Sequence, residues 1–391
     1  MKKSIGLSFT LGLGLLLTAC GTGSTADSAN DLKNGNSNTS NNIIENTDVV
    51  EEEAKTEYTV AVTNEKDETI SIIYYPENKQ EVIDIDGQAH NIEVNVESNL
   101  VWMTINPPHG DHDDSDDGHT HGNDDHNEDK GHAHNNDDHQ EEKENGSTEK
   151  IVAYDLNTLE KVEEYPVGNH PAHVTLSKDG KTVIVTNSGD NTVTIIDRFN
   201  GESWDIDTGD YPHGVRISPD EKFAYVANMD SADISIIDVE LKKEVDRVHV
   251  GDGAVQTGFS HDGKYAFAGL HLEDQLAVID SESQELLKTI EVGVGPVQMY
   301  ASYDNEYVIV ANQGSEESPS DTVSIIDIET LEVVEEIQVG LGAHGIVISK
   351  DSQYAFITNM FEDTISVLDL KTFEEVNRID VGASPNGISI N

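Results

Sequence analysis

From residue 168 to its end the chain repeats itself with a period near forty-two, and that period governs what it can fold into. The copies open on "VGNHPAHV", "TGDYPHGV", "VGDGAVQT", "VGVGPVQM", "VGLGAHGI" and "VGASPNGI". Their lead glycines are Gly168, Gly209, Gly251, Gly293, Gly340 and Gly382, spaced by 41, 42, 42, 47 and 42 residues. Within a copy, runs such as 223–228 and 234–238 are apolar or alternate with a period of two, and polar turn residues separate them. None keeps a helical spacing. A unit of this length built of several short strands cannot bury its apolar faces alone, and radial stacking makes it one blade of a β-propeller.

Two further copies stand upstream. "YTVAVTNEKDETISIIYYPENKQEVIDI" (58–85) holds the last three strands of a repeat, and "VGASPNGISIN" (381–391) supplies only a first strand. Joined, they make one blade from both termini, which removes the open sheet edges. The remaining copy begins at "IDGQAHNIEVNVESNLVWMTIN" and resumes at "EKIVAYDLNTLEKVEEYPVG"; 82 residues separate Asp86 from Gly168, about forty more than the period. The expectation is an all-β fold over 58–391, a seven-bladed β-propeller with N-/C-terminal strand closure. Residues 107–149 form an insert in a blade 2 loop. The "YVAN", "VTN", "TVSIID" and "VGxxPHGV" segments resemble YVTN-type propellers, which implies the fold and leaves the function open.

The insert, residues 107–149, begins "PPHGDHDDSDDGHTHGNDDHNEDKGHAHNNDDHQEEKE". It carries His109, His112, His119, His121, His126, His132, His134 and His139, half of the chain's sixteen histidines, among fifteen carboxylates. Such a composition cannot bury enough apolar surface to order itself. Acidic residues alone would keep the protein soluble, so the imidazoles point to metal capture. A flexible segment of this length has a root-mean-square span of roughly 35 Å. With strands a to d counted outward from the axis, it joins strand b to strand c. It therefore rises from the face where the inner strands begin.

That face is expected to carry the other candidate ligands. His90, His213 and His344 share one repeat position at the start of strand a; His173 lies one residue later and His170 two before. His271 falls in a b-to-c turn on the same face. Other copies place Ala172, Val255, Val297 and Asn386 in the shared slot, so the repeat itself does not demand histidine. Blades 2, 3 and 4 are adjacent, which lets His90, His173 and His213 approach one point. Asp190, Asp230 and Asp274 offer carboxylates from neighbouring turns. Imidazole with carboxylate suits tetrahedral zinc, and copper or nickel are the other metals such a set accepts. Proton competition near an ordinary imidazole pKa of about 6.5 predicts release between roughly pH 7 and 5.

The N-terminus, "MKKSIGLSFTLGLGLLLTAC", has a lysine pair, a short apolar stretch and the lone cysteine, Cys20. It reads as an export signal over 1–19. "LTAC" resembles a lipobox, which implies lipidation of Cys20 and a flexible linker over 20–57. A net charge of −53 excludes nucleic acid as a partner and favours cations. Together these features resemble zinc metallochaperones of the AztD type, although the lipid anchor departs from them. The resemblance implies transfer of zinc to the solute-binding protein of an ABC importer. The expected protein is thus a non-enzymatic, monomeric, extracytoplasmic lipoprotein that touches the cell membrane only through its anchor. Two alternatives stay open. One is a surface scaffold or adhesion protein with incidental metal binding; the other is a metal-dependent propeller enzyme.

Overall fold

A computed structural model describes residues 58–107 and 149–391, and the regular structure of these residues is entirely strand. The expectations for the export signal, Cys20, the linker and the eight insert histidines lie outside them. The strands form seven four-stranded antiparallel sheets, six of them consecutive in sequence. The seventh takes its inner strand, Pro385–Ile390, from the C-terminus and pairs it with Tyr58–Asn64, in the register Val60 to Ile390 and Val62 to Ile388. Each inner strand packs on the next around the ring, and the last on the first. The propeller is closed by the clasp that the repeat count implied.

Local sequence dictates each blade. The aspartate ending strand c, such as Asp197, Asp280 or Asp369, accepts hydrogen bonds from backbone N–H groups of the following turn. At a-to-b turns a serine donates to the aspartate two residues on, as Ser218 does to Asp220 at 2.7 Å and Ser260 to Asp262 at 2.7 Å. The two middle strands are buried except at one end residue each, while the outermost strand alternates or faces solvent. Apolar clusters lie between neighbouring blades: Trp102 and Ile151 of blade 2 pack with Val174, Val183 and Val185 of blade 3.

A threonine near the end of strand b stitches consecutive inner strands. Thr186 accepts from the His173 N–H at 2.9 Å and donates to the His213 carbonyl at 2.6 Å. Thr104 joins Asn91 to Ala172 in the same way, and Thr358 joins Gly345 to Asn386. Thr63 does so across the clasp, accepting from Gly387 at 2.8 Å and reaching the His90 carbonyl at 3.4 Å.

The insert springs from a completed hairpin. Ile105 pairs with Lys150, Asn106 bridges to Gln88, and the Asn106 amide donates to the Pro171 carbonyl at 3.3 Å. Its roots therefore sit beside the first residues of the inner strands of blades 2 and 3. Because the paired strands end opposite one another, deleting 108–148 and bridging with a short glycine linker should leave the fold intact. Thermal melts of the deletion variant should match the parent or rise slightly as like charge is removed; cooperative unfolding lost or lowered by ten degrees or so would show that the insert supports the blade.

Candidate metal centre

Seven inner strands meet at the axis, so one residue from each competes for the same narrow space. A strict two-residue pleat would aim neighbouring residues to opposite faces. Here the inner strands of blades 3, 4 and 7 shift register between their first and fourth residues. Such an irregularity re-aims side chains. His213, second in its strand, and His173, third in its own, thereby face the same point as His90, which lies two residues before the inner strand Ile92–Asn95 of blade 2. A ligating nitrogen from each lies within 4.8 Å of the others.

The His90 Nε2 and His213 Nε2 atoms are 3.2 Å apart. Two nitrogens on a tetrahedral zinc at about 2.0–2.1 Å stand roughly 3.3 Å from each other, so this pair already has the separation of co-ligands. His213 Nδ1–H donates to the Val255 carbonyl at 3.0 Å, which leaves the Nε2 lone pair directed inward. His173 Nε2 is buried without a hydrogen-bond partner, an orphan atom aimed where an ion would sit. Its Nδ1 meets the Gln256 amide at 3.0 Å, and Gln256 Oε1 is fixed by the Thr257 N–H at 2.8 Å.

Gln256 belongs to blade 5 and reaches His173 of blade 3 by passing over Gly214 of blade 4. A Cβ on Gly214 would lie 2.5 Å from the Gln256 Cα, so the gap exists because that residue is glycine. Gly214→Ala should force the inner strands of blades 4 and 5 apart, costing about 1–3 kcal/mol of stability and weakening metal binding through loss of the Gln256–His173 bond. Chemical denaturation and a metal titration of this variant check both effects; unchanged affinity would show that Gln256 does not orient His173.

Behind His90 stands Glu65, in the b-to-c turn of blade 1. Its Oε1 is 3.5 Å from His90 Nδ1, and the Asn386 amide bridges the two, donating to Glu65 Oε2 at 2.8 Å and meeting His90 Nδ1 at 3.1 Å. A carboxylate behind a ligating imidazole fixes its tautomer and raises its basicity. Burial pushes the Glu65 carboxyl up, but hydrogen bonds from His90 and Asn386 and the charges of His90 and His344 hold it down at about 2.

Burial, and then the charge of His90, push His213 and His344 down to about 3; burial with His213, His90 and Arg216 holds His173 well below 6.5. His213 and His344 are therefore neutral at pH 5 and His173 is shifted in the same direction, which moves protonation of these imidazoles below the window expected of free imidazole. The unfolded chain takes up protons first as pH falls, so stability is full above 6.5 and declines toward pH 3; Glu65, held at about 2 against 4.5, extends the decline in the same direction. Melting temperatures of metal-free protein should be flat above pH 6.5 and drop steadily below it, with a shallower drop in His344→Gln. A curve flat to pH 4 or so would contradict the buried, neutral state.

The remaining expected residues divide. His344 stands beside the trio, its ring centroid 6.4 Å from that of His90 and its Nδ1 buried and unpartnered, the natural source of a fourth ligand. His271 is half-buried in its turn against Gly295 and outside the trio, and His170 is exposed in a left-handed turn at the rim. The carboxylates expected from neighbouring turns do not join the trio, and two of them are otherwise engaged. Asp190 accepts from Asn169 at 2.7 Å and 2.6 Å, Asp274 accepts from the Gly295 N–H at 2.8 Å, and Asp230 is exposed. Turn-capping consumes Asp190 and Asp274, and the carboxylate beside the histidines is Glu65 instead. Its signal in the sequence was slight: a glutamate directly after "VTN", in the turn equivalent to the one that carries the insert.

Residues 247–390 match the YNCE-like beta-propeller family, and residues 178–298 match the cytochrome D1 heme domain family. Among solved structures, Kuenenia stuttgartiensis hydrazine synthase is similar at 18% identity and a TM-score of 0.61, over 78% of this chain and 90% of that one. A Bacteroides uniformis protein assigned as a 6-phosphogluconolactonase is 14% identical with a TM-score of 0.65, over 86% of this chain and 100% of that one. The dihydro-heme d1 dehydrogenase NirN, in complex with DHE, is 16% identical with a TM-score of 0.55, over 84% and 74%. At such identities the likeness establishes the propeller alone. No curated protein sequence matches the chain significantly.

Proposed function

We propose that the protein is an extracytoplasmic zinc-binding lipoprotein that collects zinc with its histidine-rich insert and holds it at His90, His173 and His213 for delivery to an importer's solute-binding protein. The observation that carries this reading is the convergence of three imidazole nitrogens, two of them at the spacing of tetrahedral co-ligands, with Glu65 behind one. The buried orphan on His173 and the adjacent His344 fit an ion that is enclosed rather than one that keeps a water open for chemistry. That favours a carrier over a hydrolase. The cytochrome D1 match raises haem as a second cargo. An iron macrocycle wants one imidazole standing over a wide pocket, whereas these rings are turned on one another with centroids 4.9–5.5 Å apart, which suits a single small ion.

The insert, rooted beside the centre, raises the local concentration of ligands, and its carboxylates draw cations toward the mouth. The anchor keeps this machinery at the membrane surface where an importer works.

Zinc titration with a competing chelator tests the reading. Replacing His90, His173 and His213 together by alanine should abolish tight binding while leaving a cooperative melt. Glu65→Gln should weaken binding about 10–100-fold. Deleting 108–148 should lower total stoichiometry yet preserve the tightest site, and slow capture from dilute zinc in a way that high salt suppresses. A triple variant that keeps its affinity, or a deletion variant that loses the tight site, would overturn the assignment.

A further inference from the structure

At the opposite end of the channel, where the inner strands finish, lies a cavity of about 320 Å³ that the metal centre does not use. Its floor is polar. The Arg216 Nη1 atom stands 3.7 Å from Glu93 Oε2, beyond hydrogen-bond reach, with both side chains recessed at 18% and 27% exposure. Among the described residues, the Arg216 side chain makes one hydrogen bond, a long one of 3.4 Å to the neighbouring Val215 carbonyl. A guanidinium has five N–H donors, so most of those of Arg216, which lines the cavity, are left without a protein acceptor among the described residues. The Glu93 carboxylate accepts no hydrogen bond from the described residues. Tyr300 and Tyr303, whose hydroxyls are 3.5 Å apart, line one wall together with Phe259. Burial pushes the Glu93 carboxyl up and the Tyr300 phenol well up, which marks the floor as poorly solvated.

We propose that this cavity binds a free α-amino acid, with its carboxylate on Arg216, its ammonium on Glu93, and its side chain along the wall of Tyr300, Tyr303 and Phe259. Glu93 and Arg216 form a loose ion pair at 3.7 Å with no hydrogen bond between them, so recessed donors and acceptors on both stay unsatisfied, which is costly. A bare anion would satisfy Arg216 and be repelled by Glu93; a bare cation would meet the reverse. An α-amino acid carries both charges on adjoining atoms and adds no net charge to the site. Arginine pairs carboxylate bidentately, which gives that contact direction as well as strength. The volume falls at the lower end of ligand pockets, roughly 300–1,000 Å³, and so suits a single amino acid rather than a folded peptide.

The test uses the full-length protein. A thermal-shift screen of the standard amino acids identifies the best binder, and calorimetry measures it against its decarboxylated amine and its deaminated acid. We expect saturable one-to-one binding, weakened about tenfold or more by removal of either charge. Glu93→Gln, which keeps shape, and Arg216→Gln should each produce the same loss, whereas His90→Ala should bind the amino acid as the parent does. Should a variant fail to melt cooperatively, the analogue series on the native protein still decides. If the deaminated acid binds as tightly as the amino acid, the cavity is a plain anion site; if no amino acid binds below about millimolar, the cavity has no such ligand. Either result overturns the proposal.

Discussion

In four of the seven blades a threonine hydroxyl near the end of strand b holds the inner strands of consecutive blades together, and the candidate metal centre depends on it. Thr186 fixes the backbones of both His173 and His213. Thr63 does the same for Gly387 and His90 across the seam where the two chain ends meet. The seam matters most. Asn386 and Glu65, whose side chains meet His90, are 321 residues apart and come together only when the C-terminal strand completes blade 1. With the ring open, His90 would keep its place in the sequence and lose both groups that orient it. Assembly of the candidate site and closure of the fold are therefore coupled, as they are wherever a site is built by folding.

The channel is polarised along its length. At one mouth stand neutral imidazoles with a single carboxylate behind them; toward the other stands Arg216, whose charge is felt as far as His173. Glycines shape the same space. Gly214 leaves the opening that Gln256 crosses to reach His173, so a residue with no side chain contributes to the site by its volume.

The period near forty-two, the split blade, the position of the insert and the alignment of His90 with His213 and His344 were legible in the sequence. They rest on interactions made within a repeat: apolar pleats, Asp-capped turns and paired strands recur in every copy, so each copy reads like the others. What only the tertiary structure decided is which side chains meet at the axis. The register shifts turn His173 toward His90 and His213 although it lies one residue out of phase. Asp190 and Asp274, plausible ligands by position, are taken up by backbone N–H groups of nearby loops. Glu65, Asn386 and Gln256 enter from other blades, one of them across the closure, where no local spacing connects them to the histidines they serve. The physical reason is geometric: a repeat encodes contacts between neighbours in sequence, whereas an axis shared by all the blades gathers residues that are neighbours only once the ring is shut.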